Sequence, residues 1–298
     1  MALELSQLIK VGLHYGHQTA RSNPRMAPYV WGHRAGVHLI DVSKTAQGLE
    51  KAAQFLESLA AHGKMILWVG TKKAAQKAIQ TAGVELEQPA VMYRWIGGTL
   101  TNFTQVKKSV TKLLHLEDVI EKAELFPYTK KELNVFNKSA ERLVKNIGGI
   151  RALRWPVGAI VVVDVNKEHT AVREAAVSGV PVVALVDTNC DPSMVDWVIP
   201  GNDDSPNGIE FVVSYLVEAV KRGKAAYDAG AAARTEQDQE LVIETDLARQ
   251  VALAEATDVE EARKVVAAGP QAKTGQRRGG PAGGGRRPMR GGGRPGPR

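Results

Sequence analysis

The fold class is decided by residues 158–187, which read GAIVVVDVNKEHTAVREAAVSGVPVVALVD. The valine-rich runs at its two ends, residues 158–164 and 180–187, are typical of strands buried on both faces of a parallel sheet. Residues 169–178 between them have helical spacing, and Gly179 is placed to end that helix. A strand, a helix and a second strand in this order form a right-handed βαβ unit. The sequence therefore predicts an α/β protein with a doubly wound parallel sheet.

Other short segments extend this architecture outward from the βαβ unit. Strands are expected at residues 37–41, 65–69, 90–93 and 196–200. Helices are expected at residues 4–11 and from residues 203–207 to about residue 227. Ser43 is expected to cap a helix that Gly63 ends, and residues 70–73 are expected to open a helix that Gly83 ends.

Residues 104–148 predict a helical hairpin inserted into the sheet domain. Its apolar stripes comprise Val106, Val110, Leu113, Leu116, Ile120 and Ala123, then Leu133, Phe136, Ala140, Leu143 and Ile147 at heptad spacing. Residues 126–128 separate the two helices, and Thr129 with Glu132 forms a capping box for the second. Two such helices with a short link run antiparallel, which predicts a coiled-coil arm roughly 30 Å long. Its outer surface is basic, with Lys107 and Lys108 on the first helix.

Charge is distributed unevenly along the 298 residues, although the net value is only +7. The first 155 residues carry 22 Lys and Arg against 12 Asp and Glu, and residues 156–269 carry 9 against 20. The last 29 residues carry 8 basic residues and no acidic ones, in a Gly- and Arg-rich sequence with little apolar surface to bury. That composition predicts a disordered basic tail, preceded by acidic helical residues 231–268. The asymmetry favours a polyanion as the partner of the first part and of the tail.

A second segment, residues 93–103, reads YRWIGGTLTNF and mixes residue types that a hydrophobic core does not require. Arg94 can bind phosphate with two N–H groups or stack on a base. Gly97 and Gly98 allow a close approach of the backbone, because they have no Cβ and can adopt positive φ. Thr99 and Asn102 can bond phosphate or ribose oxygens, or cap the helix that follows. An ordinary strand-to-helix turn remains the alternative.

Two further loops are candidates for anion binding. Residues 12–29 interleave Arg21 and Arg25 with turn residues and aromatic rings, a combination that suits contact with RNA. His14 and His17 lie three residues apart, but they lack a nearby cysteine or acidic partner in sequence, so a structural or RNA-contacting role is favoured over metal ligation. Residues 70–73, Gly-Thr-Lys-Lys, would direct free N–H groups and two lysines outward from a helix N-terminus. A capped helix with solvated lysines is the alternative there.

These segments carry a resemblance to a known family. RWIGGTLTNF, the blocks LIKVGLHYGHQTARSNPRMAPYVWGHRAGVHLIDVSKT (residues 8–45) and LWVGTKKAAQKAI (residues 67–79), and residues 156–192 resemble the bacterial small-subunit ribosomal protein S2 family. The likeness extends over about residues 3–227. It implies a flavodoxin-like domain with a coiled-coil hairpin, bound to 16S ribosomal RNA between the head and body of the 30S subunit. It also implies support for a large mRNA-binding ribosomal protein near the mRNA exit.

The resemblance implies RNA contacts at matching positions of this chain. They are Arg21, Asn23, Arg25, Lys72, Lys73, Arg94, Gly97, Gly98, Thr99 and Asn102, and Lys107 and Lys108 of the hairpin are added to them. The expected division is an α/β RNA-binding domain from residues 1–103 and 149–230, a hairpin at 104–148, an acidic extension at 231–268 and a tail at 269–298. The expected location is the ribosome in the cytoplasm, with no membrane, metal, cofactor or small-molecule substrate.

Two other functions are open from the sequence. The first is a nucleotide- or sugar-phosphate-binding α/β enzyme, with residues 70–73 as a phosphate clamp and Asp164 or Asp187 as the acid or base. No nucleophile–base pair, metal cluster or phosphate-loop motif supports it, since both GxxxxGK[ST] and GxGxxG are missing. The second is a free RNA-binding regulator that acts through the Arg-Gly tail.

Overall fold

The computed structural model describes residues 4–122 and 128–255, with residues 231–255 described by their backbone alone. The chain divides into two units, Met1–Arg234 and Thr235–Arg298. The first unit contains a five-stranded parallel sheet in the order β5-β4-β6-β7-β8. Its strands are β4 (Ile66–Val69), β5 (Ala90–Val91), β6 (Ala159–Val163), β7 (Val182–Val186) and β8 (Trp197–Pro200). Renumbered within this sheet, the order is 2-1-3-4-5, which is the flavodoxin-type doubly wound arrangement.

The central strands consist of apolar residues throughout, without the polar residues at alternate positions that a solvent-facing strand would have. Both of their faces are therefore buried. Every residue of β4, β6 and β7 is buried. Their parallel register pairs Ile66 with Ala159 and Ile160 with Val182. The strands predicted from residues 65–69, 158–164, 180–187 and 196–200 are all confirmed, and so is the α/β class.

Helices cover both faces of the sheet and form one core on each side. On one face α1 (Leu5–Lys10), α2 (Val42–Ala61), α3 (Lys73–Leu86) and the first part of α7 (Pro206–Glu255) meet Trp68 and Val161. On the other, α4 (Phe103–Glu121), α5 (Lys130–Ile147) and α6 (His169–Ser178) meet Leu67 and Ile160. Neighbouring residues of one strand thus serve opposite cores, as the two-residue period of a strand requires.

A second, antiparallel sheet near the N-terminus contains two strands that the sequence analysis missed. It is formed by β1 (Tyr15–Gln18), β2 (Val30–Arg34) and β3 (Val37–Ile40) in the order β1-β3-β2. Only the last of these was predicted, because the other two are short and rich in Gly, His and Gln. The β2–β3 turn uses Ala35 at φ 51° and Gly36 at φ 76°, the positive values that a two-residue hairpin of type I′ needs.

Three predicted helix ends were wrong: the last helix, expected to end at about residue 227, continues to Glu255, and two other ends differ by a few residues. The N-cap of α2 is Asp41, whose side chain accepts a hydrogen bond from the Ser43 N–H at 3.0 Å, so Ser43 lies within the first turn. Gly83 lies inside α3, which continues to Leu86. A Cβ at Gly83 would lie 2.7 Å from the Cβ of Ala90, so this glycine lets α3 pack closely against β5.

Both predicted hairpin helices form and share a core. Leu113 of α4 and Ala140 and Ile147 of α5 are buried in the same cluster. The capping box of Thr129 and Glu132 is confirmed, with each side chain bonded to the other's backbone N–H. Residues 123–127, including Ala123, and the predicted tail lie outside the described residues, so the coiled coil and the disordered tail stay predictions. The acidic extension is helical as far as Glu255.

No helix among residues 4–122 and 128–255 combines the length and hydropathy that a membrane crossing requires.

Candidate nucleic-acid interface

The segment between β5 and α4 is folded around one carboxylate, that of Glu174 on α6. Glu174 Oε1 accepts hydrogen bonds from Trp95 Nε1–H at 3.0 Å and the Gly98 N–H at 2.8 Å. Its Oε2 accepts from the Leu100 N–H at 3.1 Å and, more weakly, from the N–H and hydroxyl of Thr101. A buried carboxylate is stable only when donors of this kind surround it. Glu174 therefore fixes the backbone path of the loop.

Sequence reasoning did not identify Glu174, although one signal was present. It lies between Val172 and Ala175 on the face of α6 that turns toward the core, and it is only 9% exposed. An acidic residue at an apolar position of a helix needs buried partners. The loop that supplies them is 73 residues away or more in sequence, so the pairing itself was not predictable.

The loop exposes some of its predicted RNA-binding residues and uses others internally. Arg94, Gly97 and Asn102 are exposed, and Gly98 is half-buried. Thr99 is buried, and its hydroxyl donates to the Ile96 carbonyl at 2.6 Å. The hydroxyl of Thr99 closes the turn and does not face solvent, which corrects its prediction as a surface contact. Asn102 precedes α4 as its N-cap but makes no side-chain capping bond.

The two adjacent glycines, Gly97 and Gly98, differ in whether the fold requires a glycine at their positions. Gly98 has φ +90°, a conformation that other residues rarely adopt, and a Cβ there would lie 3.1 Å from the Cβ of Asn102. Gly97 has no such φ, and a Cβ placed on it would meet no atom within 4 Å. Gly98 is needed by the turn itself. The fold of the described chain gives no reason for a glycine at position 97. Because Gly97 is exposed and has no side chain, its backbone is accessible to another molecule.

A basic surface flanks this loop. Lys107 and Lys108 are exposed on the first turns of α4. Lys145 of α5 lies over the ring of Tyr93, with Nζ 5.6 Å from the ring centre. Tyr93 is itself 48% exposed, so an aromatic face and several cations lie within one part of the surface. Such a combination suits phosphate contact together with base stacking.

The loop of residues 19–29 is tied to the segment that follows β7. The Asn23 N–H donates to the Thr188 carbonyl at 2.8 Å, while Asn23 Oδ1 accepts from the Arg25 N–H. Arg25 Nη1 lies 2.6 Å from Asp191 Oδ2 and donates to the Ser193 hydroxyl at 2.8 Å. The hydroxyl and N–H of Ser193, together with Arg25, hold the pKa of Asp191 below its ordinary value. Arg21 is exposed at the start of the same loop.

The loop of residues 70–73 differs from its prediction, because the protein's own carboxylates occupy it. The N–H and hydroxyl of Thr71 both donate to Glu168 Oε1. Lys72 Nζ lies 2.7 Å from Asp203 Oδ1 and 2.5 Å from Asp204 Oδ1. Only Lys73 is exposed. The helix end therefore offers neither the Thr71 N–H nor a free Lys72 to a phosphate, which removes the main support for the phosphate-binding enzyme.

Lys72 belongs to a cluster at the carboxyl ends of the parallel strands. Its ammonium also lies 3.6 Å from Asp164, which follows β6 directly and has φ 69°. Burial lowers the pKa of Lys72, but hydrogen bonds to Asp203 and Asp204 outweigh it and hold that pKa above its ordinary value. Burial, aided by the charge of Asp164, raises the pKa of Asp203 to about 7.

His17 joins the same cluster from β1. Its Nδ1 lies 3.0 Å from Asp187 Oδ2, and its Nε2 lies 3.4 Å from Asp204 Oδ2. His14, the other histidine of the predicted pair, instead lies beside Tyr15, with ring centres 4.0 Å apart. Two groups within the described residues have donor atoms close enough to hold a metal ion: His17, Asp187 and Asp203, and Asp164, Cys190 and Asp203. The sequence analysis weighed only His14 with His17.

All three loops fall within one matched region. A family model described as ribosomal protein S2 matches residues 8–223, well over half of the chain. The chain belongs to the ribosomal protein S2 family. Members of this family are structural components of the small ribosomal subunit and not enzymes, so the chain is a constituent of that subunit in the cytoplasm and takes part in translation. The resemblance found in the sequence is confirmed.

Proposed function

We propose that this chain binds 16S ribosomal RNA between the head and body of the small subunit through the surface around residues 93–103. The observation that supports the proposal is that the loop binds inward through some of its groups and leaves others exposed. Glu174 collects the inward N–H groups, and Arg94, Gly97 and Asn102 are left exposed. A loop folded from within presents its outer groups without reorganisation, which lowers the entropy cost of binding.

The proposed contact residues are those whose polar groups face solvent. They are Arg21, Lys73, Arg94, Gly97, Asn102, Lys107 and Lys108. Asn23, Lys72, Gly98 and Thr99 act in this proposal by positioning those contacts, because each makes its main bonds within the chain or sets the backbone. Arg25 can exchange the exposed carboxylate of Asp191 for an RNA phosphate, since such a surface ion pair contributes little stability.

We also propose that the α4–α5 pair is an antiparallel coiled-coil hairpin that extends the RNA-binding surface. Its support is the heptad spacing of the sequence, the shared core of the two helices and the exposed lysines of α4. The domain division given above, with a hairpin at residues 104–148 and a tail at 269–298, is kept as part of the proposal. A docking role toward the large mRNA-binding ribosomal protein rests on family membership alone.

The proposal is tested by binding of the full chain to 16S ribosomal RNA over a series of salt concentrations. Arg94→Ala and Lys73→Ala each remove one phosphate contact, so the negative slope of log K against log salt is expected to become shallower by about 0.9 for a duplex site. Lys51→Ala, on an exposed position of α2, is the matched control and is expected to leave the slope unchanged. Equal slopes for all three variants would refute the proposed surface.

A second test separates subunit incorporation from RNA affinity. Cells that express the Gly97→Ala chain are lysed, and the lysate is sedimented through a sucrose gradient. The wild-type chain is expected to migrate with small subunits after a moderate salt wash. Gly97→Ala is expected to fold normally, because its Cβ meets no atom within 4 Å, and to be lost from the subunits by that wash.

A further inference from the structure

The carboxyl edge of the parallel sheet gathers more negative charge than its neighbours balance. Asp164 follows β6, Asp187 follows β7, and Asp203 and Asp204 follow β8. The structure places one ammonium among them, that of Lys72, within 4 Å of three of these carboxylates. If all four aspartates are ionised and His17 is neutral, one lysine leaves three negative charges uncompensated. The buried members of such a group are costly unless hydrogen bonds or further positive charge compensate them.

One carboxylate oxygen of Asp203 has no partner among the described residues that compensates its charge. Its side chain is completely buried, and its Oδ1 contacts Lys72. Its other oxygen, Oδ2, is buried and has no hydrogen-bond partner in the part of the chain that the structure describes. A buried carboxylate oxygen without a donor is costly and rare in folded proteins. An ion or proton outside the described atoms would satisfy it.

His17 gives an independent indication of the same kind. Both of its ring nitrogens face carboxylate oxygens, at 3.0 Å from Asp187 and 3.4 Å from Asp204. A neutral imidazole carries only one N–H. One nitrogen therefore directs a lone pair at a carboxylate oxygen unless a proton or a cation lies between them.

We propose that His17, Asp187 and Asp203 bind one divalent transition-metal cation, for which Zn²⁺ is the best match. Each of the three offers a donor atom within 4.8 Å of those of the other two. One imidazole nitrogen and two carboxylate oxygens are ligands that Zn²⁺ accepts at about 2.0–2.2 Å, often with water in a fourth position. Mg²⁺ alone prefers oxygen ligands and octahedral geometry, so the imidazole disfavours it.

The choice between the two candidate groups rests on accessibility and ligand type. Asp164, Cys190 and Asp203 are all buried, whereas the side chain of His17 is 19% exposed. An ion can reach the histidine group from solvent beside Asp204, which is 60% exposed. The two groups also differ in one observable property, since only the group of Asp164, Cys190 and Asp203 contains sulfur.

The site would connect three separate parts of the chain. His17 belongs to the N-terminal antiparallel sheet, and the two aspartates follow neighbouring strands of the parallel sheet. A bound ion would therefore fix the first sheet to the carboxyl edge of the second. This effect is structural and independent of whether the surface around residues 93–103 binds RNA.

The experiment is calorimetric titration of the metal-free full-length chain with Zn²⁺, and separately with Mn²⁺ and Mg²⁺. One equivalent of Zn²⁺ is expected to bind and to raise the thermal unfolding midpoint, with weaker binding of Mn²⁺ and weaker still of Mg²⁺. His17→Gln and Asp203→Asn are expected to weaken Zn²⁺ binding more than about tenfold. Glu210→Gln, at an exposed position of α7, is the charge-matched control and is expected to bind like the wild type.

Cobalt distinguishes the two donor groups. Co²⁺ bound by His17 and carboxylates gives visible absorption without the near-ultraviolet charge-transfer band of a thiolate ligand. A thiolate band that Cys190→Ser abolishes would overturn the proposed ligand set. Absence of stoichiometric Zn²⁺ binding by the wild-type chain would overturn the metal site itself, whether or not the variants fold, and would leave a proton on Asp203 or His17 as the missing charge.

Discussion

The loop of residues 93–103 and the loop of residues 70–73 both follow a parallel strand and open a helix, yet they use their cations in opposite ways. In the first, a carboxylate from α6 binds backbone N–H groups, and Arg94 stays exposed. In the second, carboxylates from distant segments bind the lysine itself, and Lys72 is four-fifths buried. A basic residue and a glycine in the loop before a helix are therefore not sufficient to identify an anion site. Its role depends on whether an acidic side chain from elsewhere reaches it.

The largest expected effect is that of Glu174→Gln. The change replaces a charged acceptor of several buried hydrogen bonds by an amide whose NH₂ group faces other donors, so the free energy of unfolding should fall by about 3–5 kcal/mol. Urea denaturation of the full chain measures this, with Glu141→Gln on α5 as an exposed control. A loss as small as that of the control would show that the loop does not depend on this carboxylate.

Lys72→Met is expected to have the next largest effect. It leaves the buried Asp203 and the neighbouring Asp204 without their cation, which should lower the free energy of unfolding by about 2–3 kcal/mol after allowance for partial exposure of the lysine. Binding of 16S ribosomal RNA by the folded variant should keep the wild-type salt slope. A reduced slope with unchanged stability would instead place Lys72 in the RNA interface, as the sequence suggested.

Substitution of the adjacent glycines gives a smaller and more discriminating result. Gly98→Ala forces a residue with a Cβ into φ +90°, so it should lower the free energy of unfolding by about 1–2 kcal/mol. Gly97→Ala should change stability by less than about 0.5 kcal/mol, since nothing in the described chain opposes its Cβ. Thermal unfolding of both proteins decides the comparison, and equal losses would contradict it.

The smallest effect on stability is expected for Lys73→Ala. Lys73 is exposed at the first position of α3, where a cation meets the positive end of the helix dipole, so its removal should be neutral or stabilise the fold by a few tenths of a kcal/mol. The same variant should lose one unit of RNA salt dependence, as stated above. Together with Lys72→Met, this variant distinguishes the roles of the two adjacent lysines. A decrease of more than about 1 kcal/mol in the free energy of unfolding of Lys73→Ala would contradict the proposed difference.

The sequence predicted those features that depend on neighbouring residues. The parallel strands, α6 with its end at Gly179, and the capping box of Thr129 and Glu132 all follow from local pattern, and the structure contains each of them. Asp41 was passed over as the cap of α2 because Ser43, two residues later, is an equally good cap by residue type. Such errors move a boundary by a residue or two and leave the fold unchanged.

The features that were missed depend on contacts between distant residues. Glu174 is 74 residues from Leu100, and Lys72 is 131 residues from Asp203. Local sequence cannot show that such groups meet, since the topology brings them together. The same holds for β1, whose register with β3 is set by pairing and not by an alternating pattern of its own.

Helix α6 has a mechanical consequence for the surface as a whole. Glu168, just before the helix, bonds Thr71 in one loop, and Glu174, within it, bonds Gly98 in the other. These carboxylates are six residues apart, a rise of about 9 Å along a helix. Helix α6 thus fixes the distance between the two loops, and with it the separation of Lys73 from Arg94, before any partner binds. A displacement of α6 at either end would be transmitted to both loops, so the proposed RNA contacts of Lys73 and Arg94 should strengthen or weaken together.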